Sequence, residues 1–276
     1  MKNLPLVKKA SGESQPFNRS KLEESLRRSG ATEIDIELVV NEMVEWLHEG
    51  VTTKMIYTKA FTLLRKKKKG LAARYSLKKA LMELGPTGFP FEHFIGQIFK
   101  HEGFSVEVGQ IVQGVCVQHE MDVIATRSNV QRLAECKFHN EAGKVSSVQI
   151  PLYVRSRMDD IIKKRKTLPE YANFTFEGWL FTNTRFTVDA ENYGKCAGLH
   201  LVSWDYPAGK SLKEIIERER LFPISILTEL SKSEKQVLMD KGVVLCRQIA
   251  LMPQILDSLN LSGTKRNSVI AEIDDL

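Results

Sequence analysis

Cysteine is scarce and scattered: the 276 residues include four, at Cys116, Cys136, Cys196 and Cys246, and no two form a Cys-x-x-Cys pair. That excludes a disulfide framework and a cysteine-built zinc site as organising features. His93, His101, His119, His139 and His200 lack zinc-ligand spacing as well. No apolar run approaches the length of a membrane span, and the opening MKNLPLVKKASGE lacks the apolar core of a signal peptide, so a cytoplasmic protein without a membrane partner is expected. A basic surplus is missing from most of the chain too. The net charge is +6, yet residues 1–85 hold 17 Lys and Arg against 10 Asp and Glu, which leaves −1 for residues 86–276. Whole-chain charge is therefore poor evidence for polyanion binding by the longer, C-terminal part.

The hydrophobic content of 42% is that of a globular protein, and the length allows more than one domain. An apolar strand is expected at Leu4 to Lys9, followed by a Ser- and Gly-rich turn and Pro16-Phe17-Asn18. Asn18 or Ser20 is placed to cap a helix over Lys21 to Ser29, with Leu22 and Leu26 on its buried face. A second helix is expected from about Asp35 to His48. A third follows Thr52-Thr53 and carries Ile56, Ala60, Leu63 and Leu64; a fourth runs from Ala72 to Leu84 and ends at Gly85-Pro86. The run Arg65-Lys66-Lys67-Lys68-Lys69 suits either a solvated helix end or contacts to a nucleic-acid backbone.

Val7-x-Lys9-x-x-Gly12, then Phe17, Lys21-Leu22 and Ala73-Arg74-Tyr75, in this order of elements, resembles an ATP-cone, the nucleotide-sensing module of ribonucleotide reductases and of the repressor of their genes. The resemblance covers roughly residues 4–83. It implies ATP or dATP as an allosteric ligand, with Lys9 and Lys21 on the phosphates and Thr53 and Tyr57 at the pocket. Where the family often has arginine after the first lysine this chain has Ala10, and Tyr57 stands where some relatives carry histidine.

Gly85-Pro86-Thr87-Gly88-Phe89-Pro90 is a cluster of breakers and a natural boundary. Phe91, Phe94, Ile95, Ile98 and Phe99 then form the stripe of an amphipathic helix, with Glu92 beside it. The stretch His119 to His139 reads as two strands around a turn at Ser128-Asn129. It places Asp122 on one strand and Glu135-Cys136-Lys137 on the other, and strand alternation points Glu135 and Lys137 to one face. Two carboxylates suit a hard divalent cation such as Mg2+, and the ammonium can stabilise charge on a phosphate or an attacking water.

Glu-x-Lys thirteen positions after Asp122 resembles the PD-(D/E)xK nuclease superfamily. Phe91-Glu92 on a helix, the Gly103-Phe104 turn, and Phe181-Thr182-Asn183 with Phe186-Thr187 further resemble its Mrr-like restriction endonucleases. That resemblance implies catalytic Asp122, Glu135 and Lys137, an auxiliary Glu92, and Mg2+ (or Mn2+) on Asp122, Glu135 and the backbone carbonyl of Cys136. Gln149 and Tyr153, four apart on a helix from about Val148, resemble an extra motif that positions the site or the DNA; alternatively they mark a half-exposed helix with one aromatic packed on the sheet.

Ser231-Lys232-Ser233-Glu234 is a capping box opening a helix through Met239, with short helices at Leu245 to Leu251 and Gln254 to Leu259. This segment loosely resembles a helix-hairpin-helix module without its Gly-x-Gly hairpin, and packing on the core, assisting a dimer and binding DNA remain open roles. Thr264 to Leu276 is expected as a frayed or acidic tail.

The expected fold is α+β and multidomain. Residues 1–85 form a mainly helical ATP-cone, 86–220 an α/β restriction-endonuclease-like domain with a mixed sheet, and 221–276 a small helical module. The expected function is nucleotide-regulated, Mg-dependent DNA endonuclease activity in restriction, defence or DNA processing, in a homo-oligomer. The alternatives are an ATP- or dATP-sensing DNA-binding regulator that does not cut, and a nuclease for RNA or branched repair intermediates.

Overall fold

The computed structural model describes residues 5–9 and 12–276, with Lys69 described by its backbone alone. Leu4, expected in the first strand, and Ala10 lie outside the described residues. In chain order the strands are β1 (Leu6–Lys8), β2 (Ser14–Pro16), β3 (Ser105–Gln113), β4 (Gln118–Arg127), β5 (Val130–Lys137), β6 (Val145–Ser146), β7 (Thr175–Thr182), β8 (Arg185–Phe186) and β9 (Leu199–Val202). The helices are α1 (Arg19–Arg28), α2 (Glu33–Trp46), α3 (Thr53–Lys67), α4 (Lys69–Tyr75), α5 (Leu77–Met82), α6 (Phe89–His101), α7 (Gln149–Arg165), α8 (Val188–Cys196), α9 (Leu212–Glu219), α10 (Lys232–Met239), α11 (Cys246–Leu251) and α12 (Gly263–Asp274). None is long and apolar enough to cross a membrane, among the described residues. Backbone contacts divide the chain into two units, one of Met1–Leu77, Ile226–Leu230 and Asn260–Leu276, the other of Lys78–Ser225 and Ser231–Leu259. Residues 221–276, expected to form one module, contribute to both.

In the first unit β1 pairs antiparallel with β2, and Lys8 N–H donates to the Val51 carbonyl at 3.0 Å, tying this hairpin to the entrance of α3. Helices α1 to α3 begin at side-chain caps: Asn18 Oδ1 accepts from Lys21 N–H, Thr32 from Asp35 N–H and Thr52 from Met55 N–H. Their apolar faces meet in a core that includes Leu22, Leu26, Val39, Val40, Met43, Leu63 and Leu64. The cations Arg65, Lys66 and Lys67 fill the last turn of α3, where the exposed carbonyls favour positive charge, and Arg65 pairs with Glu229 at 3.2 Å.

The helix expected over Ala72 to Leu84 is broken at Ser76, whose hydroxyl donates to the Ala73 carbonyl, a local bond that competes with helix continuation. The expected acidic tail is an ordered helix, α12. Ser262 caps it, and the fully buried Glu272 carboxylate accepts the N–H groups of Thr228 at 2.7 Å and Glu229 at 3.0 Å together with the Thr228 hydroxyl.

The second unit is built on a five-stranded mixed sheet of order β3-β4-β5-β7-β9, antiparallel through β5 and parallel from β5 to β7 to β9. Parallel neighbours need crossovers, supplied by α7 and α8. One sheet face is covered by α6, whose Phe99 ring meets Trp179 and Phe181 edge-on. The other packs Ile124, Leu133, Leu180, Leu199 and Leu201 against Val154, Met158 and Ile161 of α7 and Ala190 of α8. Helix α7 opens at Gln149 with Val148 at its cap and no side-chain cap bond, and the Ser147 carbonyl accepts from Ile150 N–H.

Candidate active site

The β4–β5 ladder runs from Arg127↔Val130 to Val123↔Ala134 and stops there. The next residue of each strand is acidic: Asp122 on β4 and Glu135 on β5. Beyond the last rung the side chain replaces the main chain, as Asp122 Oδ2 accepts the Cys136 N–H at 2.6 Å. Ile124 and Leu133 are paired and share the α7-side core, so Asp122 and Glu135, each two residues further along, continue that face, and Lys137 continues it again. The Cys136 thiol turns to the opposite side and is buried.

Helix α7 brings a cation to this face. Arg157 Nη1 donates to Glu135 Oε2 at 2.5 Å, Nη2 donates to the Glu120 carbonyl, and the guanidinium stands 5.3 Å from the centre of the Tyr153 ring. From the first turn of α6, Glu92 adds a third carboxylate. Its acidity is weakened to a pKa of about 7 by burial first, then by repulsion from Asp122 and Glu120. Glu135 is also pushed up to about 7, by burial and by Asp122, against the opposing pull of Arg157 and Lys137. Burial raises Asp122 as well, opposed by the Cys136 N–H, Arg157 and Lys137. The Asp122 charge thus raises both glutamates, each partly desolvated, and the group would accept more positive charge.

Of the residues expected together, Asp122, Glu135 and Lys137 follow one another on one face of β4 and β5, and Glu92 on α6 is linked to them through repulsion from Asp122. Gln149 and Tyr153 are exposed, and Tyr153 lies against Arg157 rather than on the sheet. Two contributors were not foreseen. Arg157 is signalled by its position one helical turn after Tyr153, and Glu120 by its position two residues before Asp122 on the same strand. Among the described residues no three His, Cys, Asp or Glu side chains are gathered into a ready-made metal centre.

The flanking histidines serve the scaffold. His119 Nε2 lies 2.8 Å from Asp160 Oδ2, and Asp160 also accepts the N–H groups of Cys116 and Val117, pinning the β3–β4 turn to α7. His139 bonds the Ser146 hydroxyl at 2.9 Å, and its main chain is clasped by the buried Asn183 side chain.

In the other unit Lys21, Thr53 and Tyr57 line one cavity of about 320 Å³ together with Phe17, Asn18 and Tyr75. The Tyr57 and Tyr75 rings stack there at 5.2 Å. Lys9 is not among the lining residues and pairs with Glu13 at 3.0 Å.

A family model described as AF1548-like, C-terminal, matches residues 222–276. A curated protein of Archaeoglobus fulgidus, described as uncharacterized, is 33% identical over 179 residues, which are 64% of this chain and 97% of that protein. The crystal structure of AF1548, a protein of unknown function, superposes with a TM-score of 0.56 at 32% identity and covers 68% of this chain and 97% of its own. The MspJI restriction endonuclease, in complex with a 27-mer oligonucleotide, matches 63% of this chain and 36% of its own at 14% identity, with a TM-score of 0.33, too slight a likeness to carry argument. Sequence identity over nearly the whole of the Archaeoglobus relative places this chain in the AF1548-like family.

Proposed function

We propose that the protein is a divalent-metal-dependent endonuclease that hydrolyses phosphodiester bonds in DNA and is regulated by an adenine nucleotide. The observation that carries the reading is the opening of the β4–β5 ladder at Asp122 and Glu135, with Lys137 following on the same face. Mg2+ is held in proteins by one or two carboxylates and keeps several waters, so it does not require a preformed three-ligand cage. The donor set fits. Asp122 Oδ1 and Glu135 Oε1 have no protein hydrogen bond among the described residues, and the Cys136 carbonyl follows Glu135 directly.

Mg2+, or Mn2+ in its place, supplies an acidified water and charge neutralisation at the phosphate when bound. Asp122 and Glu135 would hold it with the Cys136 carbonyl. Lys137 would orient the attacking water or stabilise negative charge on the phosphate, and Glu92 would serve as an auxiliary metal or water ligand. Gln149 and Tyr153, exposed at the start of α7, would contact the DNA backbone.

The nucleotide half rests on the cavity that Lys21, Thr53 and Tyr57 share. An ammonium beside an aromatic stack suits the phosphates and ring of ATP or dATP. In this proposal residues 1–85 are the regulatory domain, 86–220 the nuclease domain and 221–276 an accessory module, and the nucleotide shifts the assembly of a homo-oligomer. Incubating the protein and Mg2+ with plasmid, modified duplex, branched DNA and RNA, with and without ATP or dATP, tests the whole. Cleavage of DNA that responds to nucleotide supports it. Cleavage of RNA alone, or tight DNA binding without cutting, overturns it in favour of an RNA nuclease or a regulator.

A further inference from the structure

Arg157 is held on three sides. Nη1 donates to Glu135 Oε2 at 2.5 Å, Nη2 donates to the main-chain carbonyl of Glu120, and the Tyr153 ring lies 5.3 Å from Cζ. Its side chain is 12% exposed and that of Glu135 is 19%, so the pair is largely shielded from water. The grip is nevertheless single-pointed: one N–H on one carboxylate oxygen, where a guanidinium can offer two parallel bonds. Met158, the next residue, is buried in the core, which fixes the base of the side chain, while the rotatable stem lets the guanidinium reorient once those contacts are lost.

Glu135 is thus a carboxylate that already has a cation. A divalent ion binding there must weaken or replace the Arg157 contact, since both compete for the same negative charge. A displaced guanidinium stays tethered to α7 beside Asp122 and Lys137. There it presents a planar fork of donors whose geometry matches two phosphate oxygens.

We propose that Arg157 is a switching counter-ion that competes with the divalent cation for Glu135 and, once displaced, pairs with a phosphate oxygen of the bound DNA backbone. This rests on Asp122, Glu135 and Lys137 forming a metal-dependent phosphodiesterase site. The same residue then links the two ligands: the cation frees Arg157 for phosphate, and phosphate draws Arg157 away from Glu135. Each ligand therefore tightens the other by the same factor.

The test uses the full chain with Ca2+, to bind without cutting, and a short DNA duplex. Arg157→Met keeps an unbranched apolar stem and removes the charge; Arg157→Lys keeps the charge and removes the fork. Calorimetry gives Ca2+ affinity without DNA, and fluorescence anisotropy gives duplex affinity in Ca2+ and in chelator. R157M is expected to bind Ca2+ about tenfold more tightly than wild type and to lose most of an about tenfold gain in duplex affinity that Ca2+ gives wild type. R157K is expected to fall between the two in both measurements, and carries the comparison alone if R157M does not fold. Ca2+ affinity in both variants no higher than in wild type, or an undiminished Ca2+–duplex coupling, overturns the proposal. A wild-type protein that binds no Ca2+ overturns the metal-site reading and this proposal with it. Wild-type binding matched by both variants overturns this proposal alone.

Discussion

The Asp122 carboxylate accepts the Cys136 main-chain N–H at 2.6 Å, at the point where strands β4 and β5 stop pairing. One side chain therefore does two jobs: Oδ2 satisfies a strand donor, and its charge repels those of Glu135 and Glu92. Replacing Asp122 by Asn keeps an acceptor for Cys136 and removes the charge. Asp122→Asn is expected to unfold in urea at the wild-type midpoint while cleaving about 10²–10³-fold more slowly. Asp122→Ala leaves the Cys136 donor unmet and is expected to lose about 1–3 kcal/mol of stability as well.

The carboxylate group also makes stability depend on pH. Glu92 and Glu135 have folded-state pKa values of about 7, above the ordinary glutamate value of 4.5. Between those values the folded chain binds more protons than the unfolded chain, so stability falls as pH rises through this window. Below it both states are protonated and the two groups contribute nothing; above it the full destabilisation is present. Melting temperature is expected to decline from pH 5 to pH 7.5, with a flatter slope in Glu92→Gln and Glu135→Gln. A slope unchanged by either substitution contradicts the assigned cause.

Asp122, Glu135 and Lys137 were legible in the sequence because strand alternation is local: two short strands and a turn suffice to put all three on one face. The ion pair of Arg157 was not: its four-residue spacing from Tyr153 puts it on that helix face, but its partner Glu135 is on β5, and helix periodicity names no partner on a strand. Glu272 illustrates a second blind spot. Hydrophobic patterning treats a glutamate in an acidic terminal segment as solvated, whereas here its carboxylate is fully buried and answers two main-chain N–H groups of residues some forty positions earlier. Ser76 is a third, since one hydroxyl bond to a carbonyl divides a helix whose composition reads as continuous.

Glu272 therefore carries a stability prediction. Removing it leaves the N–H groups of Thr228 and Glu229 unmet in a part-buried setting. Glu272→Ala is expected to cost about 1–3 kcal/mol in urea unfolding, the range for leaving shielded donors without an acceptor. Glu272→Gln, which keeps one acceptor oxygen, is expected to cost less. An alanine variant as stable as wild type contradicts the role given to this carboxylate.

The two lysines assigned to nucleotide phosphates are not equivalent in the fold. Lys21 lines the cavity shared with Thr53 and Tyr57, whereas Lys9 pairs with Glu13. Equilibrium dialysis with ATP and dATP is expected to show about tenfold weaker binding for Lys21→Ala, consistent with loss of a charge-assisted hydrogen bond. Lys9→Ala is expected to bind more nearly as wild type does. Equal losses from both variants contradict this ranking.

In the proposed function Lys137 completes a cutting site with Asp122 and Glu135. The direct measurement is conversion of supercoiled plasmid to nicked and linear forms in Mg2+ by wild type and by Lys137→Ala, with circular dichroism confirming that both are folded. Lys137 is exposed, so its loss is expected to leave the fold intact and to slow cutting by about 10²-fold or more. Equal cutting by the two proteins, or no cutting by wild type, would contradict it.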